Sequence, residues 1–136
     1  MDKVVWGMIF DSENKLYFKE RIGNHTGAIC RMNFGDAFIN LFDVDVYDCF
    51  DKSLRTNKEK SVIYSIIGKC TLGAIYNLDK YQPSTDKLDL NGDLIIDIIP
   101  FAKNDLFVFF RNGNYSYLQF ENKALSLKYS EDRIPV

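Results

Sequence analysis

Four aspartates, Asp43, Asp45, Asp48 and Asp51, crowd one short stretch of the chain and are its densest chemical feature. Carboxylates that close repel one another unless a cation or a basic surface meets them. A calcium loop starting at Asp43 needs glycine at its sixth position and glutamate at its twelfth. The chain has Asp48 and Leu54 there, so the metal reading fails. DLNGD at 89–93 fails the same test: with Gly92 sixth, the first and twelfth positions are Lys87 and Ile98. That segment reads as an Asn-Gly turn. Two readings of the aspartates remain. One is a negative surface that steers and docks a basic partner, with Tyr47 adding contact area. The other is a solvated edge element whose charge opposes aggregation.

His25 is the one histidine, in the loop GNHTG, and Cys30 follows five residues on. Histidine is the usual general base near neutral pH. A Cys–His pair needs spatial contact and an orienting third group, and the spacing supplies neither. Zinc would need all three cysteines with His25, and no C-x-x-C spacing supports that. The glycines at 23, 27 and 35 fit no dinucleotide or Walker loop, and there is no G-K-[ST] or G-x-S-x-G. No catalytic residue, metal or cofactor is assigned. Phe107, Phe109, Tyr115 and Tyr117 have the types needed for a base-stacking platform. Such platforms lie in electropositive grooves, and Arg111 alone is nearby, so core packing and cross-strand pairing explain them better.

The elements that must position these residues belong to a chain of 136 residues, expected to form one domain over 1–136. Hydrophobic residues at 46% with charged residues at 26% suit a globular chain, not a disordered one. Seventeen basic residues are scattered among nineteen acidic ones, for a net charge of −2. Nucleic-acid binding needs the opposite balance, clustered on one face. The opening MDKVVWGMIFDSENK lacks the basic, apolar and cleavage regions of an export signal, and no run is long enough to span a membrane. Cys30, Cys49 and Cys70 then read as reduced thiols, and the expected location is cytoplasmic.

KVVWGMIF at 3–10 and KLYFKER at 15–21 form a hairpin across DSEN, and 28–34 alternates as a third strand. FDVDVYDCF alternates apolar against acidic, so 39–47 reads as strand, then a turn or short helix through Asp51. Thr56 and Glu59 make a capping box, with Ile63, Ile66, Ile67 and Cys70 at helical spacing behind it, which predicts a helix, although VIYSII is β-branched and alternates nearly as well as a strand would. Residues 78–93 are polar, contain Pro83 and read as loop. LIIDIIPF at 94–101 is a strand, followed by a meander over 105–111, 115–121 and 124–129. Asn112-Gly113 predicts a type I′ turn inside that meander. No internal repeat is evident.

The expected fold is α+β: one mostly antiparallel, twisted sheet of six to eight strands with one or two helices. A short, acidic, aromatic-rich chain with the Asp43–Asp51 cluster and no reactive constellation resembles the immunity proteins encoded beside bacterial toxins. The resemblance implies a non-enzymatic inhibitor, monomeric or weakly dimeric, that occludes the catalytic face of a basic toxin domain. Asp43, Asp45, Asp48 and Asp51 would then mimic the phosphates of a nuclease substrate, beside Tyr47. Three alternatives stay open. A small-ligand binder expects a cavity lined by Phe and Tyr. An enzyme expects His25 beside an Asp or Cys30. A subunit of a larger assembly expects an exposed apolar patch.

Overall fold

A computed structural model describes residues 4–33, 38–45 and 54–131. These residues form twelve strands and no helix, arranged as three four-stranded antiparallel sheets that follow one another along the chain. The first sheet runs β1 (Val4–Phe10), β2 (Leu16–Arg21), β3 (Thr26–Met32) and β4 (Ile39–Asp45). The second runs β5 (Arg55–Thr56), β6 (Ile63–Ile66), β7 (Thr71–Tyr76) and β8 (Ser84–Asp89). The third runs β9 (Ile95–Phe101), β10 (Asp105–Phe110), β11 (Tyr115–Glu121) and β12 (Ala124–Glu131). Each strand pairs with its neighbour in sequence, so every sheet is a simple meander.

This corrects the α+β expectation: among the described residues the fold is all-β. The predicted helix after Thr56 is a turn and then β6. Asn57 is buried, and its side-chain oxygen accepts the amides of Ser61 and Val62 at 2.8 and 3.0 Å. Lys60 sits at φ 57°, a left-handed conformation that no helix contains. Ile63, Tyr64, Ser65 and Ile66 are buried on both faces of the strand, the environment that β-branched and aromatic side chains suit. Residues 84–89, read as loop, are β8, whose polar sequence alternates half-buried and exposed positions against β7. The strand reading of 39–47 holds over Ile39–Asp45. The turn or helix expected through Asp51 lies outside the described residues.

The three meanders share a local signature. In each, the turn between second and third strands closes by a backbone bond from an amide to the carbonyl four residues on. The pairs are Ile22 with Thr26, Ile67 with Thr71 and Phe110 with Asn114. An asparagine follows the third strand each time, at Asn33, Asn77 and Asn122. In the third sheet this turn is not type I′. Gly113 alone takes positive φ, at 92°, and its amide donates to Phe110 O at 3.0 Å, giving a three-residue loop.

One core cluster draws on all three sheets, from Tyr17 and Ile29 through Ile63 and Leu72 to Ile95, Leu106 and Leu118. Backbone bonds stitch the sheets where side chains cannot. The amides of Asp45 and Ile95, from the first and third sheets, donate to Ile67 O and Lys69 O in one turn of the second. Gly73 allows a close approach of two sheets: a Cβ there would stand 3.0 Å from the Phe42 ring. Arg31 is buried and donates to the carbonyls of Leu78, Lys80 and Tyr81, tying the β7–β8 turn to the first sheet.

Candidate partner-binding face

Alternation along β10 and β11 sends Leu106, Val108, Phe110, Leu118 and Phe120 into the core. The opposite parity must face out, and it too is aromatic. Strand register lays this outer face out as three rows running across β9, β10, β11 and β12. The first row is Phe101, Asp105, Gln119 and Ser126. The second is Ile99, Phe107, Tyr117 and Tyr129, apolar throughout its width apart from two hydroxyls. The third is Asp97, Phe109, Tyr115 and Glu131.

The rings form one connected network. Phe101 stacks on Phe107 with centroids 4.9 Å apart, and Phe107 meets Tyr117 edge to face at 5.6 Å. Phe109, Tyr115 and Tyr129 continue it at 6.2–6.3 Å. Such cross-strand pairs stabilise the sheet, yet much of the apolar surface stays in solvent: Ile99 is 47% and Tyr129 54% exposed. Core packing therefore explains these residues only in part. They pair across strands, but on the outside.

Carboxylates bound the rings at both ends. Asp105 Oδ1 accepts Tyr117 Oη and Gln119 Nε2, each at 2.7 Å. Donation to Asp105 is the chief reason the Tyr117 hydroxyl holds its proton above the usual tyrosine range. Tyr115 Oη donates to Glu131 Oε2 at 2.5 Å. Asp97 lies 3.8 Å from Arg55, an exposed pair of little energetic consequence. Across the three rows there are three carboxylates and neither lysine nor arginine. Sequence reasoning had a signal for this face, since Asp105 and Gln119 share parity with the outer rings and not with the inner aliphatics.

The predicted acidic cluster is only partly described. Asp43 and Asp45 are exposed on β4, the last strand of the first sheet, while Tyr47, Asp48 and Asp51 lie outside the described residues. His25 comes close to the first two: Ile22, His25, Thr26, Asp43 and Asp45 line one open depression of about 510 Å³. His25 is not brought to Cys30, whose thiol is buried with Phe18 and Ala28 and faces Glu20 Oε2 at 3.9 Å. Another open depression, of about 400 Å³, lies where turns of all three sheets meet, lined by Asp11, Ser61, Tyr76, Asn77, Phe120 and Lys123 among others. The cavity walled by sheet aromatics that a small-ligand binder expects is not what the third sheet makes, because its rings spread over an open face. Among the described residues no group of three or more His, Cys, Asp or Glu could hold a metal, and no helix is long and apolar enough to cross a membrane.

No family model matches the chain, and no curated protein matches its sequence.

Proposed function

We propose that this protein is a protein-binding inhibitor of the immunity type, which acts by occluding a basic toxin domain. The observation that supports it most is the outer face of β9–β12: rings held in mutual contact and partly open to solvent, bounded by Asp97, Asp105 and Glu131. Aromatic anchors surrounded by polar groups are the composition of tight protein interfaces. Phosphate-bearing partners are disfavoured by the same carboxylates. Asp43 and Asp45 add a second acidic element on the β4 edge, suited to steering a basic partner toward the complex.

The test is affinity capture from the native cell, with the products of neighbouring genes included. The expected result is one stoichiometric, basic protein that is toxic when expressed alone and harmless when co-expressed with this chain. Capture of no such protein, or of one whose toxicity persists on co-expression, overturns the reading. With the partner in hand, changing Asp43, Asp45 and Asp48 together to Asn is expected to slow association by about tenfold at low salt and leave dissociation nearly unchanged. Unchanged association kinetics would make the cluster ordinary surface.

A further inference from the structure

We infer that the β9–β12 face reads cations: it docks an extended, arginine- or lysine-bearing segment of a partner protein, whose head groups lie over the Phe107–Tyr117 rings and against Asp105 and Glu131. The inference deepens the proposed function and rests on it for the partner being a protein. An aromatic face carries negative quadrupolar charge and attracts a guanidinium or ammonium placed within about 6 Å of the ring centre. Here the rings supply such faces in quantity. Phe101 and Phe107 are stacked 14° from parallel, and Tyr117 and Tyr115 stand tilted against Phe107 at 65° and 74°.

The carboxylates are held ready for a cation. Two donors fix Asp105 through Oδ1, and Oδ2 takes no hydrogen bond among the described residues. Glu131 is fixed through Oε2 by Tyr115. Asp105 stands opposite Gln119, and Glu131 stands opposite Tyr115, four positions along β11. At about 3.4 Å per strand residue and about 4.8 Å between strands, the two acidic ends are roughly 14 Å apart along the strands and roughly 10 Å across them. An extended peptide covers the first distance in four residues, so basic side chains at i and i+4 fall on one side, and the length of an arginine or lysine side chain with a slanted course over the sheet covers the second. A guanidinium suits the site best, because its planar fork engages a carboxylate while its face stacks on a ring.

Charge decides between occupants. Nucleic acid and anionic membranes bring phosphates to three rows that hold three carboxylates and neither lysine nor arginine, the neighbouring Arg55 and Lys128 being paired with Asp97 and Glu121. A second copy docking this face on itself about a two-fold axis opposes like charges and leaves them unpaired. A basic segment alone compensates both the rings and the acids.

The test titrates the protein with the peptide Arg-Ser-Val-Ser-Arg at low salt, read by nuclear magnetic resonance of ring and amide signals. Glu-Ser-Val-Ser-Glu is the control. Shifts are expected to centre on Phe107, Tyr115 and Tyr117, to vanish with the control, and to weaken about tenfold in Asp105→Asn with Glu131→Gln. Phe107→Ala is a second variant, judged after circular dichroism shows it folded; the two isosteric changes carry the test if it does not fold. Shifts confined to the β4 edge, equal shifts with the control, or ring shifts that follow protein concentration without peptide each overturn the inference. A captured toxin whose affinity ignores Asp105→Asn also overturns it and leaves the inhibitor reading standing. Peptide shifts without any toxin sustain cation reading and remove the toxin.

Discussion

Arg31 is buried to 1% exposure on β3, and among the described residues its hydrogen bonds go to carbonyl oxygens. Its guanidinium donates to Leu78 O, Lys80 O and Tyr81 O at 2.5–2.9 Å and to Asn33 Oδ1 at 2.8 Å. Removing the donor strands several carbonyls, each costing on the order of 1 kcal/mol or more when desolvated. Arg31→Met is therefore expected to lower stability by roughly 3 kcal/mol, about 10 °C in Tm for a chain of this size. Thermal unfolding followed by circular dichroism measures it, and a loss under about 3 °C would show that water replaces the guanidinium at no real cost. Tyr64 makes the opposite case. Its hydroxyl is buried with no hydrogen-bond partner among the described residues, so Tyr64→Phe removes a stranded polar group and leaves the ring. Stability should rise by about 1 kcal/mol or stay level. A fall of that size would mean the hydroxyl has a partner in solution.

Asn57 decides the second sheet at the level of the element. Thr56 and Glu59 satisfy the pattern for a helix start, but a capping box and an asparagine turn draw on the same polar residues. What separates them is whether an asparagine inside the turn takes the free amides, and here Asn57 takes two and also reaches Lys103 O at 3.2 Å in the third sheet. Asn57→Ala is expected to cost roughly 2 kcal/mol, while Thr56→Ala costs far less, the reverse of what a helix cap predicts. Urea denaturation of both variants measures the difference; an equal loss in both would restore the importance of the Thr56 side chain. The third sheet was legible strand by strand, because period-two runs are broken at clear turns. Its sidedness was not. Leu106, Val108 and Phe110 compete with Phe107 and Phe109 for the interior, and period two says only that the sets oppose each other. β8 escaped notice because Leu88 is the sole apolar residue in STDKLD. The acidic cluster was evident from composition, but the placement of Asp43 and Asp45 on an outer strand came from pairing with β3, which no local pattern encodes.

Tyr17 and Tyr64 connect these local facts to the behaviour of the whole molecule. They stand in different sheets of one shared core, and each is wholly shielded from solvent. Burial is the main reason both hydroxyls hold their protons more tightly than usual; for Tyr17, donation to Asp11 adds to this, and Tyr64 is pushed up to about 12. An unfolded tyrosine releases its proton near pH 10. Above that pH the unfolded chain binds fewer protons than the folded one, so deprotonation favours unfolding. Stability is intact below about pH 10 and falls as pH climbs toward 12, with a slope of about 1.4 kcal/mol per pH unit for each buried tyrosine. Because the sheets share side chains and backbone bonds, both tyrosines should act on a single transition. Urea unfolding between pH 9 and 11.5 is expected to give one midpoint that drops steeply above pH 10. In Tyr64→Phe that drop should lessen by about half while remaining one transition. Two transitions, of which Tyr64→Phe moves one, would mean the second sheet melts by itself and the three meanders are joined less tightly than their common core implies.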